Sequence, residues 1–448
     1  MGKYFGTDGF RGEANVSLTA MHAYKIGRYL GYVLCKGKRA RVVIGKDTRC
    51  SGDMLESALV SGLNTSGADA YLLHVTTTPS VSYLVRNEEF DCGIMISASH
   101  NPFYDNGIKL INSKGEKIEA NIEEDIEAYI DDPDANDIPY ATGADIGRAI
   151  DYSEGKEKYI EHLATALHCN IKPLKIAVDC SNGSASAVAK KLFDVIGLNV
   201  SIINGKPNGI NINDNCGSTH IEGLSRYVNE NGYDMGFALD GDADRCFAVD
   251  ESGNIVDGDR IMFLCGKYLK ENGRLNDDTV VTTVMSNIGL YKAFEREGIK
   301  SIQTDVGDKY VSAAMVDGNY SIGGEQSGHI ILREFASTGD GLLTALLIYE
   351  AVINKNKTLG ELASDVEIYP QLLCNIRVKD KKQTINNPRV TEAIDSAKKK
   401  LGKDGRVLVR MSGTEPLIRV MAEAKSDDIC REHVQSIINV IKQEGLEE

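Results

Sequence analysis

The stretch Gly93-Ile94-Met95-Ile96-Ser97-Ala98-Ser99-His100-Asn101-Pro102 constrains this chain more than any other. Its apolar start reads as a buried strand, and its small polar residues and Asn-Pro end read as a turn. A serine is thus presented at a strand's end, on a loop that a rigid sheet can aim. Hydroxyl nucleophiles and phosphate ligands are often mounted this way. The plainer reading is a strand that ends in an ordinary turn, and the rest of the chain has to decide between the two.

Upstream, Phe5-Gly6-Thr7-Asp8-Gly9-Phe10-Arg11-Gly12 is dense in glycine and reads as a loop whose arginine and backbone face an anion. Ala20–Cys35 has the pattern of an amphipathic helix. Arg41–Gly45 is a strand that ends in Lys46-Asp47-Thr48-Arg49-Cys50-Ser51-Gly52, and a helix follows through Leu63. A strand at Ala70–His74 and a helix at Pro79–Val85 lead to the strand into Ser99. Strands alternating with helices imply layered α/β domains. Asp105–Leu110 turns back toward the sheet and returns Lys109 beside Ser99, and Asp131–Asp137 reads as a loop.

The alternation resumes after a helix at Ser153–Ala166. Strand Lys175–Asp179, helix Ala185–Ile196 and strand Asn199–Ile203 come first, and Asp234–Leu239 then leads into Asp240-Gly241-Asp242-Ala243-Asp244-Arg245. A third unit runs from helix Arg260–Asn272 through Gly324-Glu325-Gln326-Ser327-Gly328-His329 to helix Gly341–Asn354. The last part has a different rhythm, β-α-β-β-α, which is a small α+β domain. Three α/β units before one α+β unit suggest duplication, although no residue-level repeat is visible.

The chain has 448 residues, 42% hydrophobic and 26% charged, the composition of a soluble globular protein with several domains. No run is long and apolar enough for a membrane span, and the first residues lack the apolar core of a signal peptide. The ten cysteines have no C-x-x-C spacing, so a reduced cytoplasmic protein without zinc or dithiol motifs is expected. A net charge of −15 argues against nucleic acid as a partner and requires a local basic cleft for any anionic substrate.

Asp240, Asp242 and Asp244 place three carboxylates at alternate positions just past an apolar strand. Hard oxygen donors this close suit Mg²⁺ or Ca²⁺. A calcium EF-hand also starts with alternate acids, and Glu251 falls at its twelfth position. However, Arg245 replaces the glycine needed at the sixth, and the flanks read as strands. Mg²⁺ is therefore the expected ion. Glu325, Ser327 and His329 group donors and acceptors suited to sugar hydroxyls or an amine. Arg410-Met411-Ser412-Gly413-Thr414-Glu415-Pro416 with Arg419 combines two arginines, two hydroxyls and glycine-exposed amides into an anion cradle.

These four loops, in this order, resemble the signature loops of the α-D-phosphohexomutase superfamily, and the resemblance covers essentially the whole chain. The start Tyr4-Phe5-Gly6-Thr7-Asp8-Gly9-Phe10-Arg11-Gly12 and Gln326 are most similar to the branch that acts on glucosamine phosphates. The resemblance implies three α/β domains with mixed sheets and a C-terminal α+β domain around a central cleft. The expected divisions are 1–152, with the phosphoserine loop; 153–254, with the metal loop; 255–368, with the sugar loop; and 369–448, with the phosphate-binding loop. It also implies interconversion of glucosamine 6-phosphate and glucosamine 1-phosphate through a phosphoserine enzyme and a bisphosphate, feeding UDP-N-acetylglucosamine synthesis.

By matching position, the resemblance makes Ser99 the phosphorylated residue. It gives one Mg²⁺ to Ser99, Asp240, Asp242 and Asp244, and puts Arg11, Lys109 and Arg245 around the transferring group. Glu325, Ser327 and His329 contact the sugar, while Arg410, Ser412, Gly413, Thr414 and Arg419 hold a phosphate. Glucosamine 1,6-bisphosphate or a similar bisphosphate is the expected activator. The partners are small sugar phosphates, with a homodimer as the candidate assembly and no membrane. Geometry along an extended segment leaves Ser97 and Ser99 equivalent, so the choice rests on the resemblance, and Ser97 is expected to be dispensable. Lys109 could shuttle a proton or serve as a cation. The nearest alternative is the same mechanism on mannose or glucose phosphates. A phosphatase with Asp240 as nucleophile would need neither the serine loop nor the separate anion cradle, and a non-catalytic sugar-phosphate sensor would need the cleft but not the Ser99 nucleophile.

Overall fold

The computed structural model describes residues 2–6, 8–133, 138–412 and 415–448. The chain packs as two compact units, Met1–Met285 with Gly298–Ser364, and Ser286–Glu297 with Asp365–Glu448.

The first unit holds three mixed sheets. One contains β1 (Phe5–Gly6), β2 (Gly9–Glu13), β3 (Arg41–Lys46), β4 (Asp69–Val75), β5 (Cys92–Ile96), β6 (Asp105–Asn112) and β7 (Ala149–Asp151), in the order β1-β2-β6-β5-β3-β4-β7. The next contains β8 (Ile176–Asp179), β9 (Val200–Ile203), β10 (Met235–Leu239), β11 (Cys246–Asp250) and β12 (Ile255–Val256), in the order β12-β11-β10-β8-β9. The last contains β13 (Thr279–Thr283), β14 (Lys300–Thr304), β15 (Ile322–Gly324) and β16 (Ile330–Leu332), in the order β14-β13-β15-β16.

One four-strand pattern recurs in all three. The first strand lies between the second and third, all parallel, and the fourth turns back antiparallel beside the third. The first and third strands are buried along most of their length, as strands covered on both faces are. The turn from third to fourth strand carries Ser97–Asn101 in one sheet, Asp240–Arg245 in the next and Glu325–His329 in the last. The duplication is therefore visible in topology, where it was not visible in residues.

Some expectations change. The N-terminal glycine-rich stretch is a hairpin rather than a loop. Phe5 pairs with Phe10, both are buried, and β2 continues against β6 with Arg11 opposite Gly107. Gly9, at φ +82°, lies so close to β6 that a Cβ there would meet the Ile108 carbonyl oxygen at 2.5 Å. The expected helix Ala185–Ile196 breaks at Val188 into a 3₁₀ turn, Ser184–Ala187, and a helix, Ala189–Val195. Helices Ala120–Asp131 and Glu222–Asn231 were not foreseen. Asp131 ends the first of these, and residues 134–137 of the expected loop lie outside the described residues.

The second unit has an antiparallel sheet of β17 (Gln371–Arg377), β18 (Arg406–Met411) and β19 (Leu417–Glu423), in the order β17-β19-β18. Helices Pro388–Leu401 and Asp427–Gln443 supply Val390, Ile394, Val434 and Ile437 to a core shared with Ile376 and Val420. The order is the expected β-α-β-β-α, with an added short helix, Lys381–Ile385. Among the described residues no helix is long and apolar enough to cross a membrane. All ten cysteines are free thiols.

Candidate active site

The turn after β5 places Ser99 in the left-handed region at φ +52°. Its Oγ donates to Asp240 Oδ2 at 2.5 Å and lies 3.2 Å from His100 Nδ1. Ser97 is fully buried and faces elsewhere. Its Oγ donates to Asp47 Oδ2 at 2.6 Å and accepts the Ser99 amide at 2.9 Å. The two hydroxyls that the sequence leaves equivalent thus have different surroundings.

The turn after β10 brings Asp240, Asp242 and Asp244 together, all buried, with ligand oxygens within 4.8 Å of one another. Lys109 reaches them from β6. Its Nζ is 2.8 Å from Asp242 Oδ2, 3.2 Å from Asp244 Oδ2 and 3.1 Å from Asp8 Oδ2. Burial alone would lower the Lys109 pKa, but Asp242, Asp8 and Asp244 raise it well above the usual ammonium value. Burial, with Asp244 and Asp242 beside it, pushes the Asp240 carboxyl well up. Burial opposes ionisation of Asp244 too, yet Lys109, His329 and Arg245 hold its pKa well below the ordinary range.

The second oxygens, Asp242 Oδ1 and Asp244 Oδ1, are buried without a hydrogen-bond partner. Unsatisfied buried carboxylate oxygens are costly. Lys109 occupies one oxygen on each residue, Asp242 Oδ1 is left open, and Asp244 Oδ1 is approached only by His329 at 3.8 Å and Arg245 at 3.9 Å, so this donor set fits a hard divalent cation.

Arg11 extends from β2 and pairs with Asp8. Arg245 donates its backbone N–H to Asp240 Oδ1 at 3.2 Å, and its Nε lies 3.9 Å from Asp244 Oδ1. The metal and sugar loops are tied through their backbones, by an Arg245–His329 bridge and by Cys246 N–H to Gly328 O at 3.0 Å. His329 Nε2 accepts the Gly339 N–H at 3.1 Å, which leaves Nδ1 facing Asp244 Oδ1 at 3.8 Å. Glu325 Oε1 accepts the Gly307 N–H at 3.0 Å, and Ser327 Oγ is buried without a partner. A cavity of about 330 Å³ adjoins these groups, lined by Asp8, Lys109, Asp244, Asp308, Lys309 and His329 among others. The first unit thus brings Ser99, Arg11, Lys109, the three aspartates, Arg245 and His329 into one neighbourhood.

In the second unit, Arg410 on β18 and Arg419 on β19 are directly opposite each other. The two guanidinium groups thus share one face of the sheet, and Glu415 Oε2 lies 3.9 Å from Arg419 Nη2. Ser412 is buried beside them, and Lys381 Nζ donates to its carbonyl at 2.8 Å. Gly413 and Thr414 lie outside the described residues.

Sequence reasoning gave no role to Asp8, Asp47, Arg49, Asn213, Asp308 or Lys381. Asp8, Asp47 and Arg49 sit in segments quoted above for their glycines and their strand-end position, which was the one available signal. Asn213, Asp308 and Lys381 gave none.

A buried serine hydroxyl against a carboxylate triad in a basic surround has the make-up of a phosphoryl-transfer site. The chain belongs to the phosphoglucomutase/phosphomannomutase family. Its residues 2–137, 157–253 and 257–369 match α/β/α domains I, II and III of that family, and residues 373–440 match its C-terminal domain. Among curated relatives, a phosphoglucosamine mutase of Lachnoclostridium phytofermentans is 55% identical, with 99% of each chain covered. A phosphoglucosamine mutase of Bacillus subtilis is 51% identical over the full length of both chains. Among solved structures, a phosphoglucomutase/phosphomannomutase family protein of Burkholderia thailandensis shares the fold at TM-score 0.80 and 22% identity, covering 99% of this chain and 98% of that one. The N-acetylphosphoglucosamine mutase of Aspergillus fumigatus, solved with GlcNAc-6P and magnesium, shares it at TM-score 0.70 and 20% identity, with 99% and 96% covered.

Proposed function

We propose that this protein interconverts glucosamine 6-phosphate and glucosamine 1-phosphate, with Ser99 giving its phosphoryl group to the substrate and being rephosphorylated by the other phosphate of bound glucosamine 1,6-bisphosphate. The contact of Ser99 Oγ with Asp240 Oδ2 at 2.5 Å, beside the other two acids, carries the reading. The 55% and 51% identities to phosphoglucosamine mutases support the amino sugar. One Mg²⁺ held by Ser99, Asp240, Asp242 and Asp244 would neutralise oxygens of the transferring group.

The remaining work falls to this chain's residues. A free sugar hydroxyl attacks the phosphorus, the bond to Ser99 Oγ breaks, and the proton that the hydroxyl loses is balanced by the one that Ser99 Oγ regains as a free hydroxyl. Lys109, set against Asp242, Asp8 and Asp244, brings positive charge to the transferring group. Arg11 and Arg245 add positive charge around the phosphoryl oxygens. Glu325, Ser327 and His329 orient the sugar. Arg410, Ser412, Gly413, Thr414 and Arg419 hold the phosphate that is not reacting. Return of the phosphoryl group to Ser99 needs the bisphosphate turned end for end.

The four sheets support reading 1–152, 153–254, 255–368 and 369–448 as four domains. Ten free thiols support a reducing, cytoplasmic setting. We take the assembly as a homodimer that handles small sugar phosphates, with no nucleic-acid or membrane partner. A direct assay on glucosamine, glucose and mannose phosphates tests the substrate. A site built to bond an amine penalises analogues without it, so kcat/KM should be highest for glucosamine. The reverse order would assign the protein to the glucose or mannose branch.

A further inference from the structure

Ser99 is not glycine, yet it stands at φ +52°. A residue keeps such a backbone only when its surroundings over-determine it. Those surroundings begin in the segment after β3. Asp47 and Arg49 have side chains with 0% exposure, and Arg49 Nε pairs with Asp47 Oδ2 at 2.8 Å. The rest of the guanidinium grips the turn that contains Ser99. Nη2 donates to the carbonyls of Ser99 at 2.9 Å and Asn101 at 2.8 Å. Nη1 donates to the carbonyls of Pro102 and, at 3.1 Å, Asp105.

The amide side of Ser99 is held from the same place. Asp47 Oδ2 takes the Ser97 hydroxyl proton at 2.6 Å, and Ser97 Oγ takes the Ser99 N–H at 2.9 Å. A second grip comes from the segment that follows β9. Asn213 Nδ2 donates to the Ser99 carbonyl at 2.9 Å and the Asn101 carbonyl at 3.0 Å. Gly241, inside the metal loop, lies so close that a Cβ there would meet the Ser99 carbonyl oxygen at 2.4 Å.

We infer that Asp47, Arg49, Ser97 and Asn213 are positioning residues for the phosphoryl carrier, holding the Ser99 peptide left-handed so that Oγ stays aimed at the acid cluster. The inference rests on the proposed role of Ser99. A carrier that gives one phosphoryl group and then accepts the bisphosphate's other one needs its oxygen in one place in both half-reactions. Small displacements of reacting atoms are costly in rate. Only guanidinium has the fixed fork that can bond Asp47 and several carbonyls together; an ammonium is a point charge with three donors.

Arg49→Lys keeps a positive charge against Asp47 and removes the fork. Its kcat should fall by roughly a hundredfold, with KM for glucosamine 6-phosphate close to the parent and a lower melting temperature, because buried carbonyls lose their donor. Asn213→Gly tolerates the positive φ of that position and removes only the side-chain grip. It should lower kcat in the same way but less, and it decides the matter if Arg49→Lys does not fold. The direct readout is the single-turnover rate at which labelled glucosamine 1,6-bisphosphate phosphorylates Ser99. Slow labelling at saturating bisphosphate supports the inference. Parental labelling in folded variants, or a rise in KM with kcat kept, overturns it. If the parent protein itself takes no label on Ser99, the carrier role has failed, and that outcome is distinct from failure of the positioning network.

Discussion

Ser97 and Ser99 are two residues apart but meet different partners, and a substitution should show it. Ser99→Ala should abolish turnover and the phosphoserine, as checked by phosphopeptide mapping. Ser97→Ala should leave phosphorylation on Ser99 but slow it, because the Asp47–Ser97–Ser99 link is broken. A buried group left without its partner costs about 1–3 kcal/mol. The expectation that Ser97 is dispensable is replaced for that reason. Arg419 tests the phosphate loop. Losing a charge-assisted hydrogen bond of about 1.5–3 kcal/mol should raise KM roughly ten- to a hundredfold in Arg419→Ala, with more bisphosphate released per turnover. Unchanged KM and unchanged bisphosphate release would remove Arg419 from the proposed clamp.

At the scale of elements, helix Gly341–Lys355 gives a pH prediction. It is buried almost throughout and capped by Asp340, which accepts the Leu343 N–H at 3.0 Å and the Tyr159 hydroxyl at 2.8 Å. Burial pushes the Asp340 carboxyl up to about 6, against the lowering effect of those donors. A carboxyl whose folded value is raised contributes most below its unfolded value, and that contribution is lost as pH rises through about 6. In chelator-treated protein, the parent should therefore lose about 2–3 kcal/mol relative to Asp340→Asn between about pH 4 and about pH 7. Denaturant melts at both pH values check this, and a pH-independent difference contradicts it. Which elements were legible follows from what each one buries. The central strands β3, β5, β8 and β10 carry nearly continuous apolar runs and were found close to their true ends, whereas the exposed edge strand β7 was not. Helix Glu222–Asn231 buries only Leu224 and Val228, too thin a stripe to recognise. In helix Ala120–Asp131, Ile126, Tyr129 and Ile130 are hidden among acids.

Over the whole molecule, the recurring four-strand pattern explains why so much of the site could be read. Each copy ends its third strand in a short contiguous motif, so Ser99, Asp240–Asp244 and Glu325–His329 announce themselves locally. Lys109 was legible because β6 returns antiparallel beside β5. The supports were not legible, because they act between distant segments. Asn213 reaches the Ser99 carbonyl, and Thr78 Oγ1 donates to Asp242. Neither pairing leaves a local pattern. The acids predict a metal requirement. Chelation should abolish turnover and Mg²⁺ should restore it, while Asp242→Asn should raise the Mg²⁺ concentration needed; full activity in excess chelator would refute the site. The central claim is phosphoryl transfer from Ser99 to an amino-sugar phosphate. Its most direct test starts from enzyme labelled on Ser99, mixed with glucosamine 6-phosphate for a single turnover. The account predicts that the label leaves Ser99, appears in glucosamine 1,6-bisphosphate and then in glucosamine 1-phosphate. Label that stays on the protein, or that is released as inorganic phosphate, would contradict it.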